Sequence, residues 1–152
     1  MSPTELVRSF MEFAHTKGRT DFPPLFYRTR AWHEFLYELK KKYKERFDEL
    51  ECIGDFDWDG PYPTARVWHE IQTSLCILGV CVSRVEDGRT LMYTEYLRKE
   101  NQLTKTCPEL LEVMLQVAMK TDNFFEPSTF SCLLCGITTL SPHVCPVFLS
   151  RA

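Results

Sequence analysis

The chain has 152 residues, an apolar fraction of 44% and a formal net charge of −3, with a pI near 5.8. That apolar content supports a packed core in one domain with an appendage and argues against disorder as the overall state. No run approaches the roughly 20 apolar residues that cross a bilayer, so no membrane association is expected, and the acidic balance argues against a protein defined by a basic nucleic-acid footprint.

Ser2-Pro3-Thr4-Glu5 has the form of a capping box, with proline suited to the first helical position. The helix it starts carries Leu6, Val7, Phe10, Met11 and Ala14 on one face and is predicted to stop at Lys17-Gly18. Arg19 to Arg28, with Pro23-Pro24, reads as an extended connection pinned by Phe22, Phe26 and Tyr27. Thr29 can then cap a long second helix. Its apolar face is Trp32, Phe35, Leu36, Leu39, Tyr43 and Phe47, and its other face gathers Lys40, Lys41, Lys42, Lys44 and Arg46 among Glu34, Glu38, Glu45 and Glu49. That basic cluster reads first as a solvated helix face and second as a phosphate-contacting one.

In the central stretch, Phe56 and Trp58 alternate with Asp55, Asp57 and Asp59, which predicts a short strand with its rings inward and its carboxylates outward. Gly60-Pro61-Tyr62-Pro63 must turn the chain, and Thr64 is placed to cap the next helix. That helix has Val67, Trp68, Ile71, Leu75 and Leu78 as its apolar set and Gly79 as its stop. Two β-prone runs, Val80 to Val85 and Thr90 to Thr94, flank Asp87-Gly88, a strong hairpin signal.

After a polar segment, Thr106-Cys107-Pro108-Glu109 repeats the capping logic and begins a helix to about Lys120. Leu110, Leu111, Met114, Leu115, Val117 and Ala118 make it apolar on more than one side, so it is either deeply packed or forms a homodimer interface. The tail from Asp122 to Ala152 is broken by Pro127, Pro142 and Pro146 and contains three cysteines.

The pieces WHEFLYELKKKY and DFDWDGPYP, followed by a helix with an apolar-glycine stop and a hairpin, resemble the winged helix-turn-helix superfamily. More loosely, they are similar to winged-helix domains of the Panacea antitoxin type. The likeness spans about residues 29–94. It implies an α+β, mainly helical fold, a winged helix-turn-helix with a small antiparallel hairpin and an added C-terminal helix, divided into a domain over 1–103 and a helix and cysteine-containing tail over 104–152. It also implies a regulatory binding module of transcription-regulator or antitoxin type, whose helix after the turn enters the major groove of double-stranded DNA while the wing touches backbone. The matching positions are Arg66, His69, Gln72 and Thr73 on the helix and Arg84 and Arg89 on the wing. Arginine and glutamine can read base edges in pairs of hydrogen bonds, and wing arginines suit phosphate. Asp55, Asp57, Asp59, Glu70, Glu86 and Asp87 oppose that use, which leaves open a protein partner for the same fold without DNA contact.

The chain contains seven cysteines, an odd number, and no apolar leader segment, which points to a reducing, cytoplasmic setting and to thiols rather than structural disulfides. Cys132-x-x-Cys135 with His143-x-Cys145 could close a tetrahedral structural zinc site, the one cofactor the sequence suggests; the alternative is small thiols packed among Leu133, Leu134, Val144 and Phe148. Asp55-x-Asp57-x-Asp59-Gly60 begins like a calcium loop, but Arg66 stands where a bidentate glutamate is needed. The same aspartates could hold a metal for a small hydrolase. No serine elbow, HExxH motif or phosphate loop accompanies them, so no enzyme is expected.

Overall fold

The computed structural model describes residues 1–125 and the backbone pairing of two short strands beyond them. The chain is a mixed α+β structure, mainly helical, with small antiparallel two-stranded hairpins. Helix α1 runs Pro3–Thr16, with the Ser2 hydroxyl accepting from the Glu5 N–H at 3.1 Å. Helix α2 runs Arg30–Tyr43, three or four residues shorter than the apolar spacing predicts. The chain leaves α2 because Phe47 swings into the core. A 3-10 turn over Asp48–Ile53 then places Leu50 and Ile53 beside it, three residues apart as the eclipsed 3-10 geometry demands. Gly54 closes that turn at φ 69, a conformation that disfavours a Cβ, and the Lys40 ammonium donates to its carbonyl.

Strands β1 (Phe56–Asp57) and β2 (Thr64–Ala65) pair antiparallel, Phe56 opposite Ala65 and Asp57 opposite Thr64. Thr64 therefore does not cap the next helix. Its backbone belongs to the ladder, and α3 (Trp68–Leu78) begins after Val67 with no side-chain cap. Gly79 ends α3 in the left-handed conformation, as its position suggests. Strands β3 (Cys81–Ser83) and β4 (Thr90–Met92) follow as an antiparallel hairpin around Asp87-Gly88. On its far side β4 bridges to Phe22 through a reciprocal pair of backbone hydrogen bonds, Phe22 N–H to Thr90 O at 3.0 Å and Thr90 N–H to Phe22 O at 2.9 Å.

The polar segment contains a short helix α4 (Gln102–Thr106), opened by a capping box between Asn101 and Thr104. Helix α5 (Pro108–Lys120) starts at Cys107, whose side chain makes no capping bond. Its Leu110, Leu111, Val113, Met114, Val117 and Ala118 are buried within the single chain, against α1, α2 and α4. Leu115, on the remaining apolar side, is half-buried. The boundary expected at 103/104 falls inside α4, and Leu103 and α5 share one core with α1 to α3.

That core centres on aromatic rings. Phe10 stacks on Phe35 at 4.9 Å between centroids, and Trp32 meets Phe124 edge-on at 4.8 Å. Such pairs add about 0.5–1.5 kcal/mol each beyond area burial. Phe124, fully buried, lies past α5 in the stretch whose composition reads as tail. Strands β5 (Phe130–Ser131) and β6 (Thr138–Thr139) pair antiparallel. No helix among the described residues is long and apolar enough to cross a membrane.

Candidate functional site

The residues that the winged-helix resemblance assigns to nucleic acid separate into two groups. His69 and Gln72 lie on the first turns of α3, the histidine exposed and the glutamine half-exposed, 3.4 Å apart between Gln72 Nε2 and His69 Nδ1. Thr73 beside them is half-buried. The three arginines are engaged within the chain. Arg66 stands just before α3 rather than on it. Its guanidinium bonds Asp57 at 2.8 Å and lies 3.8 Å from Asp55, because the β1–β2 pairing brings the alternating carboxylates of β1 alongside the end of β2. The hydrogen bond to Asp57 and the field of the neighbouring aspartates hold its pKa above the ordinary arginine value.

Arg84 bonds Asp87 across the hairpin and Asp21 at 2.8 Å. The pair shifts in complementary directions: the Arg84 bond holds the Asp87 carboxyl below the ordinary range, and the Asp87 bond raises Arg84. Arg89 departs furthest from expectation. Read as a wing residue facing phosphate, it is instead 7% exposed. Its Nε donates to Asp21 Oδ1 at 2.7 Å, and its terminal nitrogens donate to the carbonyls of Asn123 at 3.2 Å, Phe124 at 2.6 Å and Asp21 at 3.1 Å. The planar five-donor guanidinium satisfies several acceptors at once, so the wing is fastened to the 19–25 connection and to the end of the helical core.

Four of the five cations in and just past α2 are similarly occupied, and Lys44 is exposed. Lys40 reaches Gly54, Lys42 lies 3.4 Å from Glu38, Lys41 sits over the Tyr37 ring at 5.7 Å, and Arg46 pairs with Glu109 at 3.4 Å. Asp55, Asp57 and Asp59 do face outward, and the first two meet Arg66. Among the described residues no three His, Cys, Asp or Glu side chains converge as a metal-holding group. Cys132, Cys135, His143 and Cys145 lie outside the described residues. Of the thiols inside them, Cys52, Cys81 and Cys107 are half-buried and Cys76 is exposed. Burial pushes the Cys81 thiol up to about 12, so it stays protonated at neutral pH and is a poor nucleophile.

Comparison with known proteins finds no matching family model, no matching curated protein and no matching solved structure. The alternation Phe56, Trp58 announces one further feature, although not its exposure: both rings meet Tyr37 of α2 at near right angles, Phe56 half-buried and Trp58 61% exposed at the lip of a cleft.

Proposed function

We propose that the chain is a non-catalytic binding module of winged-helix type whose partner is a protein rather than DNA. The order α2, α3 and then the β3–β4 hairpin supports the winged-helix reading, with α3 as the helix after the turn and the hairpin as the wing. The observation that carries the choice of partner is that Arg66, Arg84 and Arg89 are each bonded to a carboxylate of their own chain. A duplex is held largely by cations that replace its counterions, and here those cations are neutralised beside Asp55, Asp59 and Glu70, which stay on the outer surface. Breaking Arg89 out of its buried site to reach phosphate would leave the Asn123 and Phe124 carbonyls without this donor and Asp21 with Arg84 alone.

The exposed His69 and half-exposed Gln72 are the specific observation that keeps a DNA reading second, since both side chains can meet base edges. Fluorescence anisotropy of a labelled random duplex at low ionic strength decides between the two. No retention is expected. Retention that falls with salt and is weakened by Arg66→Ala and Gln72→Ala would overturn the protein-partner reading in favour of DNA.

A further inference from the structure

The β3–β4 hairpin has two edges, and among the described residues only one is covered. In an antiparallel pair the backbone groups of successive residues alternate between facing the neighbouring strand and facing away. The Val80 carbonyl accepts from the Tyr93 N–H at 2.9 Å, and the Arg84 N–H donates to the Arg89 carbonyl at 2.7 Å. Val80, Val82 and Arg84 therefore face β4, and Cys81 and Ser83 face away from it. On the β4 side the outward residue, Thr90, is met by Phe22 in both directions. On the β3 side no described residue meets the backbone of Cys81 or Ser83, and the sheet ends there.

Open edges are usually guarded by a lysine, a proline or a bulge. Val80, Cys81, Val82 and Ser83 include none of these. The next residue, Arg84, is turned back onto Asp21 and Asp87. Apolar side chains flank the edge instead. The last turn of α3 leaves Ile77 80% exposed and Leu78 half exposed, only Gly79 and Val80 separate them from β3, and Val82 on the strand is 39% exposed.

Symmetry and charge select the occupant. A second copy turned about a twofold axis at Val82 places its Ser83 opposite Cys81 and its Cys81 opposite Ser83, so each outward N–H meets a carbonyl and each outward carbonyl an N–H. Val82 then faces its own counterpart in the close, non-hydrogen-bonded position, a favourable pairing for a β-branched side chain. Arg84 comes opposite Val80 rather than another cation, so the register sets no like charges against each other over 80–84. An edge without a free charge equally gives a charged foreign peptide nothing to orient it. Helix α5, the other element apolar enough to meet a second copy, turns Leu110, Leu111, Met114 and Val117 into its own core.

We propose that β3 pairs with β3 of a second copy, antiparallel about a twofold axis at Val82, to make a homodimer with one continuous sheet across the interface. The pairing calls on none of the groups that decide between a protein partner and DNA, so the outcome of the duplex experiment leaves it untouched. Sedimentation equilibrium of the full chain from about 5 μM to 1 mM is expected to show a reversible monomer–dimer equilibrium, with a dissociation constant on the order of 100 μM for so small an interface. Amide hydrogen exchange read residue by residue is expected to slow at Cys81 and Ser83 as concentration rises through that range. Ser83→Pro removes an outward N–H while the bonds to β4 run through Val80, Val82 and Arg84, and Val82→Lys sets two ammonium groups against each other. Each is expected to weaken the dimer about tenfold or more with a thermal midpoint close to the parent's, whereas Val82→Thr, which keeps the β-branched shape, is expected to retain it. A monomer throughout, or a dimer indifferent to both disruptive variants, overturns the proposal. So does full protection of the Cys81 and Ser83 amides in the dilute monomer, because another part of the same chain then covers the edge.

Discussion

His33 Nδ1 accepts a hydrogen bond from the backbone N–H of Ala65 at 3.0 Å. One imidazole thereby ties α2 to β2, and the ring sits 4% exposed between Tyr62 at 5.8 Å and Trp68 at 5.5 Å. The bond requires the neutral tautomer with its proton on Nε2, because a protonated ring would turn a second N–H toward Ala65. Burial accordingly lowers the His33 pKa to about 4.

This relation makes stability depend on pH in a stated direction. The unfolded chain takes up the proton near 6.5 and the folded one only near 4, so the contribution is complete above pH 6.5 and is lost as pH falls from there toward 4. Its full size is on the order of 3 kcal/mol. Urea unfolding at pH 7 and at pH 5 should show the fall, and His33→Gln should flatten the dependence between them. An equal slope in the variant would refute the assignment to His33.

Arg89 and Arg66, assigned alike from sequence, should behave differently on removal. Arg89→Ala leaves the Asp21 carboxylate with Arg84 as its one cation and the Asn123 and Phe124 carbonyls without this donor, at an expected cost of about 2–3 kcal/mol. Arg89→Lys should recover little, because one ammonium cannot span the acceptors that the guanidinium plane spans. Arg66→Ala, with its pair exposed to solvent, should leave the denaturant midpoint essentially unchanged. Denaturant midpoints of the three variants give the comparison.

A second ionic centre binds α1 to the segment before α4. Glu12, with its side chain 1% exposed, accepts from Arg98 Nε at 2.9 Å, from Arg98 NH2 at 2.6 Å and from the Arg98 backbone N–H at 2.7 Å. Arg98→Ala should cost about 3 kcal/mol, since it leaves the buried carboxylate with only the backbone N–H of residue 98, Asn101 at 3.4 Å and Arg8 at 4.0 Å. Adding Glu12→Gln should return part of that loss. A double-mutant cycle in which the two changes simply add would contradict the coupling.

Phe124→Ala should destabilise by about 3–5 kcal/mol, the range for emptying a buried aromatic site. A chain ending at Asp122 should lose at least as much, because it forfeits Phe124, Phe125 and two acceptors of Arg89. Circular dichroism melts of both test whether the folded unit extends past α5.

Local chemistry was readable where one short segment decides the outcome. Ser2 caps α1, Gly79 stops α3 and Asp87-Gly88 turns the hairpin, each through an interaction within a few residues. The readings that shifted were those decided by distant partners. Thr64 has a capping hydroxyl, but pairing with Asp57 draws it into a strand. Arg89 resembles a surface wing cation until Asp21 and the Asn123 and Phe124 carbonyls surround it. Phe124 sits in a stretch whose prolines and polar residues read as tail, and only the gap left by Phe10, Trp32 and Phe35 shows why it is buried. The alternation places Trp58 inward with Phe56; it lies just past β1 instead, 61% exposed and edge-on to Tyr37 of α2.

The Arg89 node also bears on how quickly the molecule comes together and apart. Its bonds join positions 68 and 35 residues away along the chain, and contacts of such long separation form only after the intervening loops have closed. A side chain whose native partners assemble last influences the unfolding limb of a chevron plot more than the refolding limb. The guanidinium buried under the wing would then act as a latch that sets the lifetime of the native state, while α1, α2 and α5 set the speed at which it is reached.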